Sequence, residues 1–170
     1  MRVLVTSSRN PFAVDIIRKL GSEGHTVVAT DTYHGAMGSH SKYAHAHAVT
    51  ASPTFDTDAF IADVVGLVND HEIEVIVPSF EEAFYLAARA HDLPDGVRLY
   101  AGAFDKLARL HDKASFQRLV EEAGVPIPET IVATDDPSLA AAIEKFPKYF
   151  ARAAFSRGGV ALLTNTGPLA

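Results

Sequence analysis

Polar side chains suited to anion binding follow the first predicted strand. The run Thr6-Ser7-Ser8-Arg9-Asn10-Pro11 places hydroxyls, a guanidinium and a helix start directly after an apolar stretch. Loops at the carboxyl ends of strands form the ligand site in open α/β sheets, and helix N-termini attract carboxylates and phosphates. A dinucleotide-binding turn would carry G-x-G-x-x-G here, and this turn has no glycine. Two interpretations of Ser8, Arg9 and Asn10 follow: a carboxylate or phosphate site, or a helix cap beside a solvated arginine.

Acidic residues follow two other predicted strands at the same edge. Asp31 ends the second strand, where dinucleotide enzymes carry the acid that binds a ribose. Without the glycines, a turn-forming aspartate is the favoured interpretation. After the fourth strand, Ser79-x-x-Glu82 matches a capping box, in which the glutamate is occupied by the helix start. Glu81 is therefore the residue expected to contact a ligand.

Two basic residues in the last third of the chain have unusual positions. Lys113 begins a predicted helix, where a cation opposes the helix dipole, so it is either a tolerated solvent-facing lysine or a ligand of a bound anion. Arg152 lies on a predicted strand that leads into Ser156, Arg157, Gly158 and Gly159. A plain hairpin explains the two glycines. A cation beside backbone amides at a flexible turn can also clamp a phosphate.

Four of the eight histidines are crowded between residues 34 and 47. His45 and His47 fall on one face of a predicted strand, as metal ligands could. Carboxylates are few nearby, and the chain has no cysteine. We therefore predict no metal site there, and expect His34, His40, His45 and His47 to lie at the surface or at a strand edge.

Elements of alternating type must position these side chains. Short β-branched runs recur about every 20–27 residues, which is the spacing of βα units rather than of hairpins. This alternation predicts an α/β fold with a doubly wound, mostly parallel sheet in a Rossmann-like domain over residues 1–103. Its strands are predicted at 2–6, 26–31, 46–50, 74–77 and 98–101.

The pattern changes after residue 103. Helices are predicted at 105–110, at 113–123 with Asp112 as its cap, and at 138–146. Strands are predicted at 130–133, 149–153 and 160–163. This part is small for a domain of its own, and its last residues offer no closing element. We therefore expect residues 104–170 to be an incomplete α+β subdomain.

Composition excludes several classes of protein. The 170 residues are 48% hydrophobic and 21% charged, which is ordinary for a globular chain. A net charge of −6 provides no positive field for nucleic acid or an anionic membrane. No apolar run approaches the length of a membrane span. We expect a soluble, cytoplasmic protein without nucleic acid or membrane partners.

The stretch His111-Asp112-Lys113 … Gly124-Val125-Pro126-Ile127-Pro128-Glu129-Thr130 resembles the entry into the nucleotide domain of the ATP-grasp superfamily. The resemblance covers nearly the whole chain. The first hundred residues resemble the Rossmann-like domain that precedes the grasp domain. Glu81-Glu82, with the helix that follows, is most similar to the carboxylate–amine ligase branch related to the carbamoyl phosphate synthetase large subunit.

The resemblance implies an ATP-dependent ligation through an acyl phosphate, with ATP and Mg²⁺ as cofactors. Lys113 and Arg152 would bind ATP, and residues Ser156, Arg157, Gly158 and Gly159 would form the flap over its phosphates. A small carboxylate substrate is expected near Ser8, Arg9, Asn10 and Glu81, and a homodimer is among the partners considered.

The family's Mg²⁺ ligands lie beyond the flap, so this chain is expected to be an amino-terminal fragment that is inactive alone. One alternative is a Rossmann-type nucleotide- or dinucleotide-binding module in which Asp31 binds a ribose. Another is a non-catalytic interaction domain, in which Lys113 and Arg152 are solvent-exposed residues that bind no ligand.

Overall fold

The computed structural model of the protein describes residues 1–155, 161–164 and 167–168. The chain divides into two compact units, Met1–Phe104 and Asp105–Ala170. Within the described residues, no helix is long and apolar enough to span a bilayer.

The first unit is a five-stranded sheet in the order β3-β2-β1-β4-β5, and every neighbouring pair is parallel. This arrangement confirms the α/β prediction. The sequence alternates strand and helix because each parallel strand needs a crossover connection to its neighbour. The strands are β1 (Arg2–Val5), β2 (Thr26–Asp31), β3 (Ala46–Val49), β4 (Val75–Val77) and β5 (Arg98–Leu99), and the helices are α1 (Pro11–Ser22), α2 (Thr57–Asp70) and α3 (Glu82–Ala88).

Helices cover both faces of this sheet. On one face, Val3 and Val5 of β1 pack with Ala13 and Ile17 of α1. On the other face, the alternate residue Leu4 packs with buried side chains from α2 and α3. Burial on both faces explains why the strands are almost continuously apolar. The polar groups of this unit are therefore concentrated where the strands end and the loops begin.

The histidine-rich segment between β2 and β3 contains a short 3₁₀ turn, Met37–His40, and no α-helix. Gly38 in this turn donates its N–H to the carbonyl oxygen of Ser8 at 2.8 Å. A Cβ at Gly38 would lie 2.5 Å from the Ser8 Cβ and 2.9 Å from the Ile17 Cδ1. The turn thus packs directly on the loop after β1, and only glycine fits at that point.

The second unit contains helices and an antiparallel sheet. The described strands pair in the order β6-β7-β8. α4 begins at the boundary of the units. The elements are α4 (Phe104–His111), α5 (Lys113–Glu122), α6 (Asp136–Lys145), β6 (Lys148–Ala151), β7 (Ala161–Thr164) and β8 (Gly167–Pro168).

The strand predicted at 130–133 is wrong, because this segment has no regular structure. Ile131 and Val132 are 38% and 48% exposed, so the β-branched residues that suggested a strand pack against little. β-Propensity reflects packing on a neighbouring strand rather than a backbone preference alone, and no strand pairs with this segment in the described residues.

Aspartates cap two helices of the second unit. Asp112 accepts a hydrogen bond from the Ser115 N–H at 2.7 Å, which confirms its predicted capping role. Asp135 accepts one from the Ser138 N–H at 2.8 Å, and the Ser138 hydroxyl completes a capping box. The Ser115 and Ser138 hydroxyl and N–H groups hold the pKa of each aspartate below its ordinary value.

Candidate functional site

A cleft opens at the carboxyl ends of the central strands of the first unit. Its volume is about 250 Å³, open solvent included. This is the edge of a parallel sheet where ligands bind in α/β proteins. The cleft is lined mainly by polar residues: Thr6, Ser7, Arg9, Thr30, Asp31, Thr32, Thr50, Pro53, Phe60 and Glu82.

Glu82 is a buried and extensively hydrogen-bonded carboxylate in the cleft. It is 4% exposed, and its carboxylate accepts from four donors. The Thr6 hydroxyl and the Ser79 and Phe80 N–H groups donate to Oε1, the last two at 3.1 Å. The Ser7 hydroxyl donates to Oε2 at 2.5 Å. Glu82 therefore joins the end of β1 to the start of α3.

The predicted capping box at Ser79 is only half formed. Glu82 accepts from the Ser79 N–H as predicted, but the Ser79 hydroxyl donates to the Thr6 carbonyl oxygen at 2.7 Å, and α3 has no side-chain cap bond. The Ser79 hydroxyl makes this bond because β1, which pairs with β4, ends nearby and presents the Thr6 carbonyl oxygen as an acceptor. The capping glutamate consequently lies in the cleft, and Glu81, which was expected to contact a ligand, does not line it.

The loop after β1 has an unusual backbone. Ser7 has φ +52°, the left-handed region that few residues other than glycine adopt. Main-chain bonds hold it there: the Ser8 N–H donates to the Thr30 carbonyl at 3.1 Å, and the Asn10 N–H donates to the Ser7 carbonyl at 3.1 Å. This conformation delivers the Ser7 hydroxyl to Glu82.

Arg9 and Asp31 form an ion pair beside the cleft, with Arg9 Nη1 2.6 Å from Asp31 Oδ1. Asp31 also accepts from the Arg9 and Thr32 N–H groups, each at 2.7 Å. The Asp31 side chain is completely buried, whereas the Arg9 side chain is 36% exposed. Asp31 therefore holds two loops together, in line with the turn-forming interpretation. Arg9 Nε and Nη2 make no hydrogen bond within the described part of the chain.

Of the four residues predicted to bind substrate, only Arg9 lines the cleft. Ser8 is completely buried against Gly38. The Asn10 amide donates to the Ser7 carbonyl at 3.3 Å and makes no side-chain cap bond to α1. Glu81 is half-buried just before α3.

Thr6 and Ser7 belong to the polar run noted after the first predicted strand but were not among the predicted ligands, and Glu82 was assigned to the helix cap. Thr30 and Thr50 were not noted as candidates. Threonine is common in strands, so its presence at the ends of β1, β2 and β3 was not a distinctive signal. Thr30 stands apart from the others. It is 1% exposed, and its hydroxyl has no hydrogen-bond partner among the described residues.

In the second unit, a main-chain contact brings the two predicted ATP-binding cations near each other. The Lys113 N–H donates to the Ala154 carbonyl at 2.9 Å, and Lys113 Nζ donates to the same oxygen at 3.3 Å. Arg152 lies two residues before Ala154 and is exposed. The predicted flap residues Ser156, Arg157, Gly158 and Gly159 lie outside the described residues.

The described residues contain no group of three or more His, Asp or Glu side chains that could hold a metal ion. Of the four histidines between residues 34 and 47, His40 lies in the 3₁₀ turn and His47 in β3, and the other two lie in the connecting segments. Burial lowers the pKa of His47, against an opposing effect of Asp31. Its Nε2 is buried and has no partner in the described part of the chain.

Comparison with solved structures identifies the fold. The chain resembles the biotin carboxylase domain of Hydrogenobacter thermophilus 2-oxoglutarate carboxylase, a dimer solved with MgADP, ADP and bicarbonate (TM-score 0.71, 20% identity, 96% of this chain and 37% of that chain). It is also similar to Staphylococcus aureus N5-carboxyaminoimidazole synthetase complexed with ADP (TM-score 0.69, 17% identity, 96% and 40%). A third similar structure is the L-amino acid ligase of Bacillus licheniformis (TM-score 0.64, 13% identity, 96% and 39%).

No protein-family profile and no curated protein matches the sequence. The chain spans about two fifths of the length of each of these three solved structures. All three are ATP-grasp enzymes, so the resemblance stated from the sequence is confirmed for the fold. The chain has the α/β fold of the amino-terminal region of the ATP-grasp enzymes.

Proposed function

We propose that this chain is the amino-terminal part of an ATP-dependent ligase that joins a carboxylate to an amine or a related nucleophile. The observation that carries the proposal is the hydrogen bond from the Lys113 N–H, at the start of α5, to the carbonyl oxygen of Ala154, two residues after Arg152. It joins the segments that carry these two cations, which are 39 positions apart in the sequence. The fold shared with ATP-grasp ligases supports the same assignment.

The reaction would begin with attack of the substrate carboxylate on the γ-phosphorus of ATP. A carboxylate oxygen–phosphorus bond forms, the bond to the β-phosphate oxygen breaks, and ADP leaves. The nucleophile then attacks the carbonyl carbon of the acyl phosphate, and phosphate departs. Lys113 and Arg152 would lower the barrier by neutralising charge on the phosphates, a role that needs positioned cations rather than proton transfer.

Backbone amides of residues 156–159 would close over the phosphates in this proposal. Mg²⁺ would neutralise further phosphate charge when bound. We place its ligands outside this 170-residue stretch, and therefore propose that the stretch alone does not turn over ATP. A homodimer and a cytoplasmic location remain part of the proposal.

A dinucleotide-binding module is disfavoured by the bonding of Asp31. Both oxygens of its carboxylate accept hydrogen bonds from Arg9 or Thr32, and the side chain has no exposed surface. A ribose diol would have to displace an ion pair to reach it.

Calorimetric titration of the chain with ATP tests the proposal. We compare the wild type with Lys113→Met and Arg152→Met, and use Lys106→Met as the matched control, because Lys106 is an exposed lysine on α4 of the same unit. Each of the first two variants should weaken ATP binding about tenfold, the loss expected for one charge-assisted hydrogen bond. Unchanged ATP affinity in both variants contradicts the proposal. NAD binding that is unaffected by Lys113→Met favours the dinucleotide module.

A further inference from the structure

We propose that the cleft of the first unit binds the ammonium group of a small amino-carboxylate, such as an α-amino acid, and that Arg9 receives its carboxylate. The assignment of this ligand as a substrate rests on the proposed ligase function, whereas the binding itself does not. A carboxylate that lacks an amine is not the ligand expected here.

The positions of the hydroxyl protons determine which groups the cleft offers to a ligand. Thr6 and Ser7 each have one hydroxyl proton, and both protons are donated to Glu82. Their oxygens therefore present only lone pairs to anything else. Glu82 accepts four hydrogen bonds in total, and a carboxylate presents only acceptors to a ligand. Its Oε2 receives a single donor and retains acceptor capacity. The ligand group at this point must supply hydrogen-bond donors.

The formal charge of the cleft points in the same direction. One guanidinium and two carboxylates line it, which leaves a net charge of −1. Arg9 and Asp31 compensate each other at 2.6 Å, so the uncompensated charge is that of Glu82. A site with this charge favours a cation and disfavours a ligand that carries only a carboxylate. A primary ammonium satisfies both requirements, since it has three donors and one positive charge.

Thr30 supplies an independent observation. It lines the cleft, is 99% buried, and its hydroxyl has no partner among the described residues. A buried hydroxyl without a hydrogen bond is costly and calls for an explanation. Ser8 has a second such hydroxyl, but it does not line the cleft, whereas Thr30 does. An ammonium that reaches Glu82 would give this hydroxyl a donor to accept from.

Arg9 accounts for the second half of the ligand. Its side chain is 36% exposed, and Nε and Nη2 are unpaired within the described part of the chain. Asp31 fixes the guanidinium through Nη1, so the remaining donors are held in a rigid fork that matches a carboxylate. The cleft thus offers a carboxylate at one end and a guanidinium at the other, which complement the ammonium and carboxylate groups of an amino acid.

The test is a binding measurement on the full chain without nucleotide, by NMR chemical-shift perturbation. The probes are the twenty amino acids, then the best of them against its deaminated acid and its decarboxylated amine. We expect the amino acid to bind at least tenfold more tightly than the deaminated acid. Equal binding of the deaminated acid, or no binding of any amino acid, overturns the proposal.

Variants separate a specific site from a structural cluster. Because Glu82→Gln removes a group that holds the fold, the main variant is Thr30→Val, which keeps the shape of the side chain. It should weaken amino acid binding about fivefold to tenfold, the value of one hydrogen bond. Thr26→Val makes the same change at the opposite end of β2 and should leave binding unaltered. Equal effects of Thr26→Val and Thr30→Val overturn the assignment of the cleft.

The outcome is separable from that of the proposed function. If the chain binds an amino acid, with or without Lys113→Met, but does not bind ATP, the cleft assignment stands and the ligase proposal is contradicted. ATP binding that depends on Lys113, in a chain that binds no amino acid, overturns the cleft assignment alone.

Discussion

Two threonines at the ends of neighbouring strands should respond oppositely to the same substitution. The Thr6 hydroxyl donates to the buried Glu82 carboxylate, whereas the Thr30 hydroxyl is buried without a partner in the described residues. Replacing either by valine exchanges a hydroxyl for a methyl group with little change of shape. Since the chemistry of the change is identical, any difference in stability reports the hydrogen bonding of the two sites.

The magnitude follows from the two environments. A hydrogen bond to a charged group contributes about 1.5–3 kcal/mol, so Thr6→Val should lower the free energy of unfolding by that amount. Removing the unpartnered hydroxyl in Thr30→Val relieves a desolvation cost of the order of 1 kcal/mol and should raise it. The two variants should therefore differ by about 2.5–4 kcal/mol.

Urea unfolding of the full chain, followed by far-UV circular dichroism, measures this difference. Hydrogen exchange of the β1 and β2 amides assigns the change to the first unit, because exchange reports local as well as global opening. A Thr30→Val variant that is destabilised as much as Thr6→Val would refute the account of the hydroxyl protons. Such a result would show that the Thr30 hydroxyl has a partner, and Thr30 would then no longer support an ammonium site in the cleft.

Three further predictions concern the surroundings of the cleft and the second unit. Gly38→Ala should destabilise the chain by about 1–3 kcal/mol through overpacking. Gly66 lies in the interior of α2 with no atom within 4 Å of an added methyl group, so Gly66→Ala should stabilise the chain by about 0.5–1 kcal/mol. Thermal unfolding of the two variants checks both signs. Burial lowers the pKa of His47, so the unfolded chain binds more protons and stability is lost as the pH falls below the ordinary value of 6.5. His47→Gln should therefore reduce the fall in the urea midpoint between pH 7.5 and pH 5. An equal fall in the wild type and the variant contradicts this. Asp112→Asn should keep the cap of α5 but remove its acid sensitivity below the ordinary pKa of 3.8, whereas Asp112→Ala should expose the Ser115 amide to faster exchange at every pH.

The fold was predictable because its signals are local and repeated. Apolar runs of strand length alternate with helical stripes, and Asp112 announces the start of α5. The strand predicted at 130–133 failed because local β-propensity says nothing about whether a partner strand is available.

The cleft was only partly predictable, because long-range hydrogen bonds decide which side chains line it. Arg9, a predicted substrate ligand, lines the cleft, whereas Glu82, which also lines it, was set aside as a capping residue. The bonds that bring Glu82 to Thr6 and Ser7 span 76 and 75 positions of the chain. No periodicity or spacing rule reports contacts at that separation. That the hydroxyls of Thr30 and Ser8 have no hydrogen-bond partner among the described residues is visible only once the chain is folded.

The loops that carry the polar side chains are held largely by main-chain bonds. The Ser8 N–H reaches the Thr30 carbonyl, the Gly38 N–H reaches the Ser8 carbonyl, and the Lys113 N–H reaches the Ala154 carbonyl. Such bonds are indifferent to most side-chain exchanges, so a lining residue whose side chain holds no loop, such as Thr30, can change without moving the loops. This tolerance is consistent with sequence identities of 13–20% alongside a shared backbone in the solved structures compared above. A lineage built on this scaffold can diverge in the ligands it accepts long before its architecture drifts.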